Sequence, residues 1–263
     1  MACFLHLNNK RFIFATNSKC NSNKRNMEVN ELEQLIRGRE SALSAVFPAL
    51  MRKVYTWMAM ALFITGICAY GVATSPSILQ MLYANSMTIW LLFIAELGLV
   101  FYTTARINKL SLTTATTLFI IFSALNGVTL SGIFLVYSMT SIAKVFFITA
   151  GTFGAMAVYG YFTKTDLSKI GGILFMALIG LIIATVVNIF MKSAMFDLIL
   201  CYIGVGIFVG LTAWDSQKIK RMLAVQMDMS EGAQKIALLG ALSLYLDFIN
   251  LFLYMLRIFG GRD

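Results

Sequence analysis

The chain has 263 residues, 59 % of them hydrophobic and only 13 % charged, with a mean hydropathy of +0.80. That composition excludes an ordinary soluble domain and points to a polytopic membrane protein. The formal charge of +9 is not a nucleic-acid signal: Lys10, Arg11, Lys19, Lys24 and Arg25 all precede Met27 with no acid among them, and most of the remaining basic residues lie in loops, where membrane topology accounts for them.

In chain order, residues 1–26 form a basic, Asn/Ser-rich tail without a long apolar core, either a transit-type segment or residues ahead of a true start at Met27. Residues 27–53 are expected to be a cytoplasmic lead-in, with EVNELEQLIRGRE (28–40) as a short amphipathic stretch. Residues 54–263 then hold seven apolar runs, at about 54–74, 86–103, 113–137, 145–162, 171–191, 197–213 and 236–257. The runs are continuous and about 20 residues long, whereas a membrane barrel shows segments of about 10 with alternating polarity. In lipid the backbone must satisfy its own hydrogen bonds, so each run is predicted to be a helix and the fold an all-α bundle of seven transmembrane helices.

Loop charge predicts the orientation. One side holds Arg37, Arg39, Arg52, Lys53, Arg106, Lys109, Lys164, Lys169, Lys218, Lys220, Arg221 and Lys235, against Lys144, Lys192, Arg257 and Arg262 on the other, so 12 basic residues face 4. The positive-inside rule puts the N-terminus in the cytoplasm and, with seven spans, the C-terminus outside. A six-span alternative with a re-entrant last segment, broken near Asp247, puts both ends inside.

Cysteine and histidine narrow the chemistry. Cys3 and Cys20 are in the tail and Cys68 and Cys201 in separate spans, a spacing that suits neither a disulfide framework nor a zinc site. The sole histidine, His6, is also in the tail, which removes histidine-based metal binding and general-base catalysis from the expectation.

The acids inside the apolar runs are the candidate functional groups. Asp247 interrupts IALLGALSLYLDFINLFLYML (236–256), and a carboxylate at mid-helix costs roughly 2.5–3.5 kcal/mol on insertion scales, so it is expected to be protonated, partnered or water-lined. Its candidate partner is Asp215, at the end of the preceding run in GLTAWDSQKIK. A helix ending near Ala213 leaves the two acids about 10 Å apart in depth, and the competing reading of Asp215 is a solvated helix-end acid beside Lys218 and Lys220. On the last helix, Gly240, Ser243, Asp247, Asn250, Tyr254 and Arg257 share an arc of about 100°, a wet or hydrogen-bonded face; Ser243, Asn250 and Tyr254 read either as pathway residues or as interhelical hydrogen-bonding groups. Glu96 is the third intramembrane acid. Arg106, ten residues on and roughly 80° away in azimuth, does not pair with it but lies on the membrane side of Asp215, and is either the partner of that acid or an ordinary snorkelling arginine. Glycines on separate spans, Gly206 and Gly210 in GxxxG spacing among them, read as packing features.

Four segments, SALNGVTLSGIFLVY (123–137), GTFGAMAVYGYFTKTDLSKIG (151–171), VGLTAWDSQKIK (209–220) and LGALSLYLDFINLFLYMLRIFG (239–260), resemble the Bax inhibitor-1 family, and the bacterial inner-membrane branch of it most closely. The resemblance runs from about Met27 to the C-terminus. It implies a seven-helix fold with a central last helix and a pH-sensitive calcium leak controlled by paired aspartates, which match Asp215 and Asp247. It further implies that Arg106 latches onto Asp215, and that Glu96 matches the family's second-helix glutamate. The loop Met222 to Gly232, long and containing Asp228 and Glu231, departs from the compact family pattern.

Two carboxyl groups in contact across adjacent helices cannot both ionise cheaply and so hold one proton between them, tying the helices together; losing it substitutes repulsion and frees oxygen ligands of the kind Ca²⁺ takes. The expected protein is therefore a proton-gated cation leak and not an enzyme. Its expected partners are the lipid bilayer, protons, calcium ions as cargo bound transiently at Asp215, Asp247 and Glu96, and other membrane proteins; no cofactor and no nucleic acid is expected. Three rivals use the same residues. An intramembrane aspartyl protease carries GxGD where this chain has LYLD; a retinal pump needs a lysine in the last span, and residues 236–256 contain none; a membrane adaptor uses the acids only to hold the bundle together.

Overall fold

A computed structural model describes residues 33–34, 37–38 and 45–261. The expectations for the tail 1–26, and for most of the lead-in, lie outside these residues. In the N-terminal unit Glu33 and Arg37 form an exposed i,i+4 ion pair at 3.7 Å.

The described chain is helical, with no strand among the described residues. The helices are α1 (Ala45–Ala73), α2 (Pro76–Tyr83), α3 (Ser86–Arg106), α4 (Leu112–Leu130, prolonged by a 3-10 turn Ser131–Leu135), α5 (Met139–Phe162), α6 (Ser168–Met191), α7 (Ala194–Ala224) and α8 (Glu231–Phe259). All but the short α2 are long and apolar enough to cross a membrane, giving seven spans. Polar residues between the runs start the helices: the side chains of Asn85, Ser111, Ser138, Ser193 and Ser230 each accept a backbone N–H of the first turn that follows, at α3, α4, α5, α7 and α8.

Three boundaries differ from the apolar runs. α1 begins at Ala45, so the last residues of the expected lead-in are its first turns, with Leu50, Met51 and Val54 buried. α7 runs on to Ala224, because Ser216, Gln217, Ile219 and Leu223 continue a buried stripe at helical spacing. α8 starts at Glu231, which shrinks the supposed long loop to the six residues 225–230. With 29 residues and no break at Asp247, α8 is about 43 Å long and lacks the interruption that the re-entrant alternative expected there.

α8 is the centre of the bundle. In its most apolar stretch 67 % of residues are buried in the protein, against 33 % or less in the other spans. It packs on α4, α5 and α7, whereas α6 packs mainly on α7 and α3 mainly on α4. Close contact rests on small residues: a methyl at Gly160 would run into the backbone of Ala213, and one at Gly171 into the Trp214 ring. Gly210 packs on Leu174, while its GxxxG partner Gly206 faces open space.

The half of α7 nearer the α7–α8 loop is clamped by polar contacts. Ser216 Oγ donates to Ala157 O at 2.8 Å and Lys220 Nζ to Tyr161 O at 2.6 Å, both on α5. Gln217 bridges the α5–α6 loop, accepting from Leu167 N at 2.9 Å and donating to Thr165 O at 2.8 Å. Arg221 Nη1 donates to Asp166 Oδ1 at 2.8 Å in the same loop. Glu231 accepts the N–H of Leu112 at 2.7 Å, so the first residue of α8 also caps α4.

Candidate functional site

Asp215 and Asp247 are both withdrawn from solvent, at 8 % and 6 % exposure, so the reading of Asp215 as a solvated helix-end acid is overturned. Their helices are antiparallel neighbours, and the contacts of Gly240 with Ile219 and of Tyr254 with Gly204 fix the register. Asp215 then faces the level of Ser243, which lies within reach of its carboxyl, and Asp247 lies four residues farther along, an offset of about 6 Å rather than 10 Å. The two carboxyl groups are within charge reach of one another, and Lys218 is within charge reach of both. Among the described residues no donor reaches Asp247 Oδ2. A buried carboxyl oxygen without a donor is an expensive arrangement, and few native groups keep it.

The remaining predicted residues divide. Ser243 joins Asp215. Tyr254 lies in the same α7–α8 seam, its ring stacked on Phe208 with centroids 5.9 Å apart. Asn250 donates back to Leu246 O of its own helix at 2.8 Å, so its amide hydrogen bond is local. Arg106 is not brought to Asp215: it is exposed at the end of α3, with its guanidinium 5.9 Å from the ring of Tyr102, and the cation near the acid pair is Lys218, whose ammonium lies 4.7 Å from the Trp214 ring. Arg106 misses because α3 is peripheral, a lateral placement that topology and helix length do not specify. Glu96 is buried but belongs to a different face of α8. The three acids expected to share Ca²⁺ therefore do not converge, and no cluster of three His, Cys, Asp or Glu side chains able to hold a metal occurs among the described residues.

Glu96 anchors a network the sequence did not reveal. Thr129 Oγ1 donates to its Oε1 at 2.5 Å and Asn126 Nδ2 to its Oε2 at 3.3 Å. The hydroxyl of Tyr245, a fully buried side chain, donates to Asn126 Oδ1 at 3.2 Å and lies 2.7 Å from Thr65 Oγ1. The Tyr245 ring sits edge-on to Phe119 and Phe122, at 6.0 and 5.8 Å. One chain of hydrogen bonds thus ties α3, α4, α8 and α1. The only sequence signal for it is a tyrosine two residues before Asp247, hence about 200° around the helix and on the opposite face.

Together, seven apolar spans, a central last helix and two buried aspartates on the final antiparallel pair define a polytopic helical membrane protein with an acid site inside its bundle. The family described as inhibitor of apoptosis-promoting Bax1 matches residues 48–263. The inner membrane protein YbhL of Escherichia coli K12 is 50 % identical over 214 residues, covering 81 % of this chain and 91 % of that protein. An uncharacterised protein of Borreliella burgdorferi is 45 % identical over 212 residues, with 81 % and 91 % covered, and one of Rickettsia prowazekii 42 % identical over 212 residues, with 81 % and 89 % covered. The chain belongs to the Bax inhibitor-1 family.

Proposed function

We propose that this protein is a pH-sensitive cation leak, with Ca²⁺ as its cargo, gated where Asp215 and Asp247 face each other between α7 and α8. The observation that carries the reading is Asp247 Oδ2, a buried acceptor without a donor opposite a second buried acid. Held by one proton, the pair carries a single negative charge beside Lys218, and the seam stays shut. Loss of that proton leaves two like charges in a medium of low dielectric, and the repulsion is relieved by parting the seam and admitting water or a cation. The freed oxygens are hard ligands of the kind Ca²⁺ takes. The pair supplies too few ligands for a resident ion, which suits passage better than storage.

The excess of basic residues on the loops flanking the acid site supports an N-terminus in the cytoplasm. Likeness to a protein named for the inner membrane of E. coli supports a bacterial inner-membrane location. Calcium flux into liposomes carrying the full chain, measured across about pH 6 to 8, tests the function. Asp215→Asn and Asp247→Asn are expected to abolish the pH dependence, since an amide cannot exchange the proton. Flux that is unchanged in both variants overturns the proposal, and a chain that conducts nothing but copurifies with a stoichiometric membrane protein favours an adaptor.

A further inference from the structure

The seam that holds the acids also holds a stack of aromatic rings beyond them. On α7, Phe208 precedes Asp215 by seven residues; on α8, Tyr254 follows Asp247 by seven. Seven residues bring a helix back to within about 20° of the same direction and advance it by about 10 Å. Because the helices are antiparallel, both steps lead the same way, away from the α7–α8 loop, and the ring pair stands directly beyond the acid pair. The rings are stacked, with an interplanar angle of 29°. The Tyr254 ring also lies flat on Gly204, where a methyl group would stand 2.8–2.9 Å from three of its carbons. The tyrosine hydroxyl lies beside Thr185 of α6, whose own hydroxyl donates to Leu181 O at 2.8 Å.

One more step of seven along α7 reaches Cys201, which is 1 % exposed. The Arg257 guanidinium lies beside its thiol, and Arg257 Nη1 meets Asp197 Oδ1 at 3.3 Å. From the acids outward, the seam therefore presents two stacked rings, a thiol and an ion pair at the part-exposed mouth.

We propose that Tyr254, laid on Gly204 and Phe208 beneath the Arg257–Asp197 ion pair, is the residue that closes the cation path on the side of the membrane away from the α7–α8 loop. The proposal rests on the conduction reading above and adds a second barrier to it. Ring carbons offer a cation no oxygen in exchange for its hydration shell, so an apolar constriction of this kind excludes ions without needing a charge. The guanidinium at the mouth repels a divalent cation, and its pairing with Asp197 holds it there. Gly204 is required because any side chain would lift the ring out of the seam.

The native thiol is the reporter. In the full chain carrying Cys3→Ser, Cys20→Ser and Cys68→Ala, Cys201 is the sole cysteine, and a membrane-impermeant cationic methanethiosulfonate is applied to either face of proteoliposomes while Ca²⁺ flux is recorded in parallel. Cys201 is expected to be protected with Tyr254 or Tyr254→Phe in place. Tyr254→Ala is expected to raise its modification rate by about tenfold or more from the face bearing the α7–α8 loop, from which the rings stand in front of the thiol, with flux rising alongside; Asp197→Asn is expected to raise it less strongly, and from the face bearing Arg257. If Tyr254→Ala does not fold, Gly204→Ala gives the same readout with the ring displaced instead of removed. Cys201 protected in all three variants, while flux through the parent chain still depends on Asp247, overturns the seal and leaves conduction standing. Cys201 exposed in the variants with no flux from any of them overturns the conduction reading and the seal with it.

Discussion

Two buried acid sites flank α8, and they are built in opposite ways. Toward α4 and α1, both oxygens of Glu96 have donors, Asn126 is bonded at both ends of its amide, and Tyr245 closes the chain to Thr65. Toward α7, Asp247 keeps an oxygen that no donor reaches, with a second carboxyl in charge reach. A fully satisfied polar network specifies one packing and resists change, whereas an unsatisfied one stores free energy that a proton or cation can release. Glu96 thus reads as a fixture and the aspartate pair as the element able to move, although both are carboxyl groups in equally apolar helices.

The comparison breaks most easily at Glu96. Glu96→Ala strands the Thr129 and Asn126 donors in the interior and should lower stability by about 1–3 kcal/mol, seen as a lower unfolding temperature in detergent. Combining it with Tyr245→Phe sharpens the point, since residues in one network couple, and a double-mutant cycle should return an interaction of at least about 0.5 kcal/mol. Asp247→Leu tests the other side with the sign reversed: removing an orphaned acceptor should raise stability by about 1 kcal/mol while abolishing pH-dependent flux, a trade expected of a functional group and not of a fixture. If Asp247→Leu destabilises as much as Glu96→Ala, the contrast between the two sites fails.

The smallest effect belongs to a surface acid that serves as a control. Hydrogen bonds from Ser168, backbone first and then side chain, and from Arg221 hold the Asp166 carboxyl down to about 2. A depressed pKa contributes stability that is present above the ordinary carboxylate range and lost as pH falls through about 2. Asp166→Asn should therefore lower the unfolding temperature only slightly near neutral pH, and the gap from the parent chain should close toward pH 2. The carboxyl is exposed, so solvent screening keeps the effect small.

How much of this was legible in the sequence depends on what each residue's surroundings demand. Seven spans could be read because an apolar run of about 20 residues has few alternatives in lipid. Asp247 was legible because a lone acid in such a run is costly, and its expected nearness to Asp215 rested on adjacency of the last two helices. The end of α7 was misplaced because SQKIKRML is polar on the side that faces water, while Ser216, Gln217 and Ile219 are buried against α5, the α5–α6 loop and α8. Asn126 and Thr129 carried no signal and Tyr245 only its place opposite Asp247, since one amide, hydroxyl or phenol in a span is common and only its neighbours make it a network. Arg106 misled for the same reason: the membrane side of a residue can be read from charge, but which helix stands next to which cannot.

The anchors around α7 and α8 set a limit on what an opening can look like. Within two turns of Asp215, three side chains fasten α7 to α5 and its following loop, and two residues from Asp247 the phenol of Tyr245 fastens α8 to α1 and α4. These anchors oppose a swing of either wall, so on the proposed function an opening would be a narrow slit made by side-chain rearrangement and slight shear. Ions would pass it one at a time and largely stripped of water, at a rate nearer a carrier's turnover than an open pore's, and single-channel recording in planar bilayers should show no large unitary steps.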